Sequence, residues 1–169
     1  MRPRSKARLF EQSRPKHRLL YLLILIGCAF AVYFAFYMQK AYHLAPCPLC
    51  VLQRFGFIGL GLAALFGLLR GYVGAFGKLF GLFFGLVGLG SAAYHTWLIA
   101  QPNAAECGRD KVQAFVNQLP TASLWPDMFM ATGLCGEALP LIFGLSIPLL
   151  SLILLLVFML GFVYRTFRR

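Results

Sequence analysis

The sequence has little charge, and very little of it is acidic. Only 12% of its 169 residues are charged and 60% are hydrophobic, and five Asp and Glu stand against sixteen Lys and Arg. A chain this poor in charged residues lacks the polar groups that cover the surface of a soluble domain. The composition therefore excludes an ordinary water-soluble enzyme and is typical of a protein that lies in a lipid bilayer.

Charge is nearly absent from four long stretches. A helix that crosses a bilayer needs about 20 predominantly apolar residues, and four runs meet this requirement: 19–38, 51–69, 79–100 and 141–163. The first run is too long for the apolar part of a secretory signal and has no small-residue cleavage site after it, so we expect it to remain as a span. We therefore predict an all-α fold, a four-helix transmembrane bundle that forms a single integral membrane domain over residues 1–169.

The positive charges avoid two of the connections between these runs. Twelve Lys and Arg lie before the first run, in the connection 70–78 and in the tail, whereas the connections 39–50 and 101–140 together hold three. Lys and Arg accumulate on the cytoplasmic side of membrane proteins. We therefore expect both termini in the cytoplasm and the other two connections outside. Topology then accounts for the net charge of +11, and we do not expect a nucleic-acid partner.

Small residues mark one face of the third run. They recur at steps of three or four, which places them on the same side of a helix: Gly77, Gly81, Gly85, Gly88 and Ala92, followed by His95. Such a stripe lets neighbouring helices pack closely in lipid. We therefore expect His95 to point into the bundle, either as a buried histidine with protein partners or as a group that contacts a ligand.

The long outer connection 101–140 contains a second helical pattern. Its apolar residues Val112, Phe115, Val116 and Leu119 recur at i, i+3, i+4 and i+7. This spacing predicts a short amphipathic helix in the second outer loop. Trp125 beside a proline is typical of a segment in the membrane interface. The loop can fold over the mouth of the bundle, contact the membrane or form a platform for a partner.

No cysteine lies in the segments assigned to the cytoplasm. Cys28 lies within the first run, where we expect a small packing residue, and the other four lie outside: Cys47, Cys50, Cys107 and Cys135. Four cysteines on the oxidising side are typical of disulfides. A bond between the last two would contribute about 3–4 kcal/mol as a structural staple, although redox work is the alternative. The first two are too close in sequence to stabilise much, and such pairs more often do redox chemistry.

The local sequence suits a reactive thiol at Cys50. Pro48 fits the first position of a helix, which makes Cys47 the expected N-cap and places Cys50 in the first turn. The free N–H groups and the helix dipole there favour a thiolate. Arg54 lies four residues further on and can face either that thiolate or a ligand, or extend to the lipid headgroups. One short pair with two distant cysteines is a weak zinc pattern, so we expect no metal.

With these features in place, the chain resembles the DsbB family of membrane proteins that form disulfide bonds. The resemblance covers nearly the whole chain and rests on an ordered set of motifs: four spans with both ends inside, Cys47-Pro48-Leu49-Cys50 with Arg54, "YHTWL" at 94–98, Cys107, and "WPDMFMATGLCGE" at 125–137.

The resemblance implies a thiol:quinone oxidoreductase of the bacterial inner membrane. The family reoxidises a soluble periplasmic thioredoxin-like dithiol oxidase, DsbA, and passes two electrons to a quinone, either ubiquinone or menaquinone. The implied partners are thus a DsbA-like protein, membrane lipid and quinone. Two alternatives remain: a non-catalytic transporter or scaffold with two structural disulfides, and a related quinone-linked reductase that runs in the other direction.

The resemblance also implies a role for each residue of the motifs. Cys107 and Cys135 would exchange with the soluble partner, and Cys107 would form the mixed disulfide. Cys47 and Cys50 would lie beside the quinone, with Cys50 as the thiolate that acts on the ring. By the same resemblance, two further residues would hold or polarise a quinone oxygen: Arg54 and His95.

The predicted topology can be tested with single cysteines placed in connections of opposite sidedness. We expect Lys111→Cys, in a chain without its native cysteines, to react with a membrane-impermeant maleimide on intact cells. Lys78→Cys should react only after the membrane is permeabilised, because it lies on the cytoplasmic side. If only the Lys78→Cys variant were labelled on intact cells, the topology would be the reverse of the predicted one. The four cysteines would then not lie on the oxidising side.

Overall fold

A computed structural model describes residues 15–69, 72–101, 109–135 and 144–167. Within these ranges the chain forms α-helices and no β-strand: α1 (Pro15–Ala41), α2 (Pro48–Leu68), α3 (Tyr72–Ile99), α4 (Arg109–Asn117), α5 (Pro120–Leu124), α6 (Pro126–Phe129) and α7 (Ile147–Phe167). Four of them, α1, α2, α3 and α7, are long and apolar enough to cross a membrane. The predicted all-α four-helix bundle is therefore confirmed.

Helix α2 is the most buried of the four long helices. It packs against α1 and α3, and α7 closes the bundle by packing against α3 and α1. The core between them is apolar, with Leu60, Leu155 and Phe162 fully buried. Large apolar side chains such as Phe30 and Phe76 point outward instead. A bundle that is apolar inside and outside is what a lipid surrounding requires.

The contact between α2 and α3 depends on two facing glycines. A methyl group added at Gly56 would lie 2.5 Å from the Cα of Gly88, and one added at Gly88 would lie 2.8 Å from the Cα of Gly56. The predicted stripe of small residues on α3 is confirmed, because all of its members are buried, including His95. Close contact of the two backbones sets the position of His95 relative to the start of α2.

The start of α7 differs from the prediction. The apolar run 141–163 suggested a span that contains a proline, but the helix begins at Ile147. Residues 144–146 precede it, and Gly144 has a φ of 79°. Pro148 therefore lies in the first helical turn, where a missing N–H removes no hydrogen bond. The proline marks the start of the helix and does not interrupt it.

The predicted amphipathic helix of the second outer loop is present as α4. Val116 is fully buried there against Val51 of α2 and Ala131, whereas Phe115 is exposed. Leu119 lies outside α4 and forms the N-cap of α5, so the helix is shorter than the apolar pattern suggested. Because α4 packs on α2, this part of the loop covers the outer mouth of the bundle.

The glycine contact between α2 and α3 generates a stability prediction. Gly88→Ala should destabilise the protein by about 1–3 kcal/mol, because the added methyl group has no space. Gly90→Ala is the matched control on the same helix, since a methyl group there meets nothing within 4 Å. Thermal unfolding of the two purified variants in detergent measures the difference. Equal unfolding temperatures would contradict the proposed close contact.

Candidate active site

The start of α2 places two cysteines at the end of the bundle where α1 leads into α2. Cys47 is the N-cap, with φ −79° and ψ 158°, and its Sγ accepts a hydrogen bond from the N–H of Cys50 at 3.2 Å. Pro48 begins the helix, and its fixed φ suits that position. The predicted N-cap is therefore confirmed. Both sulfur atoms lie where the free N–H groups and the helix dipole favour negative charge.

The ring of His95 lies between the two thiols. Its Nε2 is 3.9 Å from Sγ of Cys47, and its Nδ1 is 4.0 Å from Sγ of Cys50. The ring is fully buried and has two closer partners. Nε2 lies 3.1 Å from the carbonyl oxygen of Cys135, and Nδ1 lies 3.2 Å from Nε2 of Gln53. His95 thus joins α2, α3 and the second outer loop at one point.

Arg54 is folded into the protein. Only 5% of the residue is exposed, and its guanidinium donates to the carbonyl oxygen of Met128 and to Oε1 of Gln39, the latter at 2.7 Å. Extension to the lipid headgroups was one expectation, and it is wrong. A charge this deeply buried needs several hydrogen-bond partners, and α1 and the loop supply them.

The second outer loop brings Cys135 to the same place. The N–H groups of Thr132 and Gly133 both donate to the carbonyl oxygen of Pro46, at 3.1 and 3.0 Å. A side chain at Gly133 would collide with the carbonyl of Ala45, so the absence of one permits this close approach. As a result Cys135 packs against Cys47.

The thiols of Cys47 and Cys135 differ in pKa. The hydrogen bond from Cys47 lowers the pKa of Cys135 to about 7. The same hydrogen bond is the largest cause of a raised pKa at Cys47. Cys47 therefore keeps its proton and donates it, while Cys135 is the better thiolate at neutral pH. Thiolates are the nucleophiles of thiol chemistry, so Cys135 is the more reactive of the two thiols in the reduced protein.

A cavity of about 370 Å³ opens between α1, α2 and α7. Most of its lining is apolar: Phe30, Ala31, Val32, Phe34, Ala35, Met38, Leu44, Ala45, Pro46, Phe57, Ile147, Leu150 and Leu154. The polar lining comes mainly from Gln39, Cys50, Gln53 and Arg54. An apolar chamber with a few convergent polar groups is typical of a site for a lipophilic small molecule.

The remaining residues singled out from the sequence lie in different places. Cys50 and Arg54 both line the cavity, whereas His95 is not part of the lining. Cys28 is buried in the apolar core, in keeping with a packing role. Cys107 lies outside the described residues.

Two amides were not identified as site residues from the sequence. Gln39 binds Arg54, and Gln53 binds His95. The available signal was their position in or beside apolar runs, because a polar side chain within a membrane helix is costly and usually functional. The sequence gives no indication of which partner each amide has.

Three of these side chains could also hold a soft metal ion when the thiols are reduced. The donor atoms of Cys47, Cys50 and His95 lie within 4.8 Å of one another. Thiolate and imidazole ligands suit such ions, but a closed zinc site takes four ligands. The Nε2 of His95 already contacts the carbonyl of Cys135. A pair of thiols beside a third is more typical of disulfide exchange.

Known proteins share this sequence over most of its length. The family described as "Disulfide bond formation protein DsbB" matches residues 17–164. A protein of Ralstonia nicotianae named disulfide bond formation protein B is 41% identical over 152 residues, which cover 90% of this chain and 95% of the relative. Proteins of the same name from Cupriavidus metallidurans and Nitrosomonas europaea are 41% and 38% identical, covering 90% and 88% of this chain and 94% of each relative.

The shared hydrogen bond generates a prediction for the pH dependence of Cys135. In the reduced protein, alkylation of Cys135 by iodoacetamide should rise with pH with a midpoint near 7. Cys47→Ala removes the S–H donor and should raise that midpoint by about one unit or more, toward the value of an ordinary thiol. Peptide mass spectrometry across a pH series measures it. Cys50→Ala keeps the donor and should keep the midpoint near 7, so equal midpoints in both variants would contradict the assignment.

Proposed function

Because the chain belongs to the DsbB family, we propose that it reoxidises a soluble DsbA-like dithiol protein and passes the electrons to a membrane quinone. Membership makes it a multi-pass membrane protein with disulfide oxidoreductase activity. In the proposed reaction, the partner's dithiol becomes a disulfide by losing two electrons and two protons. A bound quinone would accept the electrons and protons, and residues around the cavity would hold it. Ubiquinone and menaquinone both fit this scheme.

The observation that carries the proposal is a continuous row of sulfur atoms from the outer loop to the cavity. Cys135 hydrogen-bonds to Cys47, Cys47 hydrogen-bonds to the backbone of Cys50, and Cys50 lines the cavity. Such a row allows a disulfide to move by successive exchange without a large motion of the chain. A structural staple does not need a third sulfur beside it.

Exchange would proceed from the loop toward the cavity. The partner first opens a Cys107–Cys135 disulfide by bonding to Cys107, which releases Cys135 as a thiolate. Attack by Cys135 on Sγ of Cys47 then forms a Cys47–Cys135 bond and breaks the Cys47–Cys50 bond. The electron pair of the broken bond stays on Cys50, at the helix N-terminus, where it is stabilised. The partner's second thiolate closes its own disulfide and releases Cys107 as a thiolate. Attack by Cys107 on Sγ of Cys135 would then form the Cys107–Cys135 bond again and release Cys47. The two electrons would then lie on the reduced Cys47–Cys50 pair beside the cavity.

The cavity fits a quinone in size and in lining. Its volume is about 370 Å³, and its apolar walls include Phe34 and Leu154, while its polar side chains lie beside Cys50. A bound quinone would supply a site that accepts two electrons and two protons. Arg54 has more N–H donors than Met128 and Gln39 occupy. We propose that a remaining donor holds an oxygen of the quinone and that the positive charge stabilises the nearby thiolate.

The position of His95 supports a different role from the one that the resemblance implied. Its ring does not line the cavity, and it contacts both thiols of the first pair. We propose that it handles the protons of those thiols. Of the two residues that the resemblance implied would hold the quinone, Arg54 and His95, only Arg54 keeps that role in this proposal.

The proposed function predicts the behaviour of two variants with reduced DsbA from a related bacterium and a short-chain ubiquinone. Cys50→Ser should abolish reduction of the ubiquinone, because the last thiolate of the row is missing. Arg54→Ala should slow it by about 100-fold, since a preorganised charge beside the reacting sulfur is lost. Loss of ubiquinone absorbance measures the rate.

Cys28→Ala is the control, because Cys28 is buried in the core and does not line the cavity. It should keep the rate of the parent protein. Unchanged turnover in both Cys50→Ser and Arg54→Ala would defeat the proposal. Disulfides that stay oxidised during turnover, as shown by thiol trapping, would favour a scaffold with structural staples.

A further inference from the structure

The hydrogen bonds around His95 define the form of its ring. Nε2 lies 3.1 Å from the carbonyl oxygen of Cys135. A carbonyl oxygen only accepts hydrogen bonds, so Nε2 must carry the proton. In the neutral ring Nδ1 then has a free lone pair, because a neutral imidazole carries one proton. Nδ1 is also the nitrogen that faces Sγ of Cys50 at 4.0 Å.

Gln53 contacts that same nitrogen. Its amide nitrogen lies 3.2 Å from Nδ1 and donates to the lone pair. Gln53 lies three residues after Cys50 on α2, on the same helical face. Only 5% of it is exposed, and burying an amide among apolar helices is unfavourable unless it is hydrogen-bonded. The residue therefore has a specific partner, and that partner is the ring.

Among the described residues, Gln53 supplies the side-chain amide that hydrogen-bonds to the ring. The titratable groups near the ring are the thiols of Cys47 and Cys50 from the start of α2 and of Cys135 from the loop. Among the described residues, no carboxylate hydrogen-bonds to His95. In many enzymes a carboxylate orients a catalytic histidine and stabilises its protonated form. Here an amide occupies that position.

We propose that Gln53 is a positioning residue that holds His95 so that Nδ1 accepts the proton of Cys50. This inference rests on the proposed function and concerns the reduced protein, in which Nδ1 takes the proton from the thiol form of Cys50 and returns the sulfur to the thiolate. The S–H bond of Cys50 breaks, an N–H bond forms at Nδ1, and the electron pair stays on sulfur. No oxidant is needed for this step. The ring becomes an imidazolium that still donates from Nε2 to the carbonyl of Cys135.

An amide suits both forms of the ring because it has a donor end and an acceptor end. Beside the neutral ring, the NH₂ group of Gln53 donates to Nδ1. Beside the imidazolium, rotation of the amide by half a turn presents its oxygen to the new N–H. A carboxylate would favour only the protonated ring, and an apolar side chain would favour neither form. A glutamine at this position thus permits Nδ1 of His95 both to take up a proton and to release it.

The test compares Gln53→Met with Gln53→Glu. Nitrogen-15 NMR of the histidine rings, in full-length protein in nanodiscs, reports which ring nitrogens carry protons. In the parent protein the ring of His95 should be neutral with a protonated Nε2 when Cys47 and Cys50 form a disulfide. After reduction Nδ1 should gain a proton. Gln53→Met should leave Nδ1 unprotonated in both states and lower ubiquinone reduction by about 100-fold.

Gln53→Glu separates positioning from simple packing. The carboxylate should keep both ring nitrogens protonated in both redox states, and the variant should retain more turnover than Gln53→Met because a cation still faces the thiolate. Gln39→Met is the control for the spectrum, since Gln39 lines the same cavity but binds Arg54. It should leave the signals of His95 unchanged. The signals are assigned by their loss in His95→Asn.

The two proposals fail in different ways. Parent-like turnover and ring signals in Gln53→Met would overturn the inference while leaving the proposed function intact. Expected ring signals in every variant, together with a parent protein that never reduces ubiquinone, would sink the proposed function and leave the positioning role. Low turnover in Gln53→Met with a parent-like ring would mean that the substitution acts through packing, and this also overturns the inference.

Discussion

The end of the bundle that holds the candidate site depends on the burial of one positive charge. Arg54 is almost completely enclosed, and its guanidinium binds the carbonyl of Met128 and the side chain of Gln39. These partners belong to the second outer loop and to α1, so satisfying the charge draws both toward α2. Because an unsatisfied buried charge is very unfavourable, the loop is held over the mouth of the bundle. Arg54 and its partner Gln39 also supply polar groups to the lining of the cavity.

A second constraint joins the two outer connections, and it acts through the backbone. Two consecutive N–H groups of the loop donate to the carbonyl of Pro46. Gly133, which has no side chain, allows the backbones of the two connections to come this close together. Since Pro46 directly precedes Cys47, this contact delivers Cys135 to the helix N-cap. The exposed ion pair between Lys40 and Asp127 links the same connections, but such a pair contributes about 1 kcal/mol at most.

Much of the fold follows from the sequence because the bilayer imposes simple rules. Run lengths, the charge asymmetry and the stripe leading to His95 identify the spans and one buried face, and Pro48 identifies the N-cap. The start of α7 and the partners of Arg54 do not follow, because they depend on contacts between distant segments. The same holds for Gln53, whose polarity marks it as unusual but whose neighbour comes from another helix. The closeness of Cys47 to Cys135 is a tertiary property as well, and spacing alone leaves the pairing of the cysteines open.

The position of Cys47 is consistent with the proposed direction of exchange, from the loop to the cavity. Its sulfur is the middle one of the row. It is hydrogen-bonded to the thiol of Cys135 on one side and to the N–H of Cys50 on the other. In the reduced protein the raised pKa of Cys47 makes it a poor thiolate, and the pKa of about 7 at Cys135 makes that residue the better one. Disulfide exchange is faster when the leaving sulfur is stabilised as a thiolate. Cys50 has that stabilisation from the helix N-terminus, so negative charge would leave the loop and collect beside the cavity.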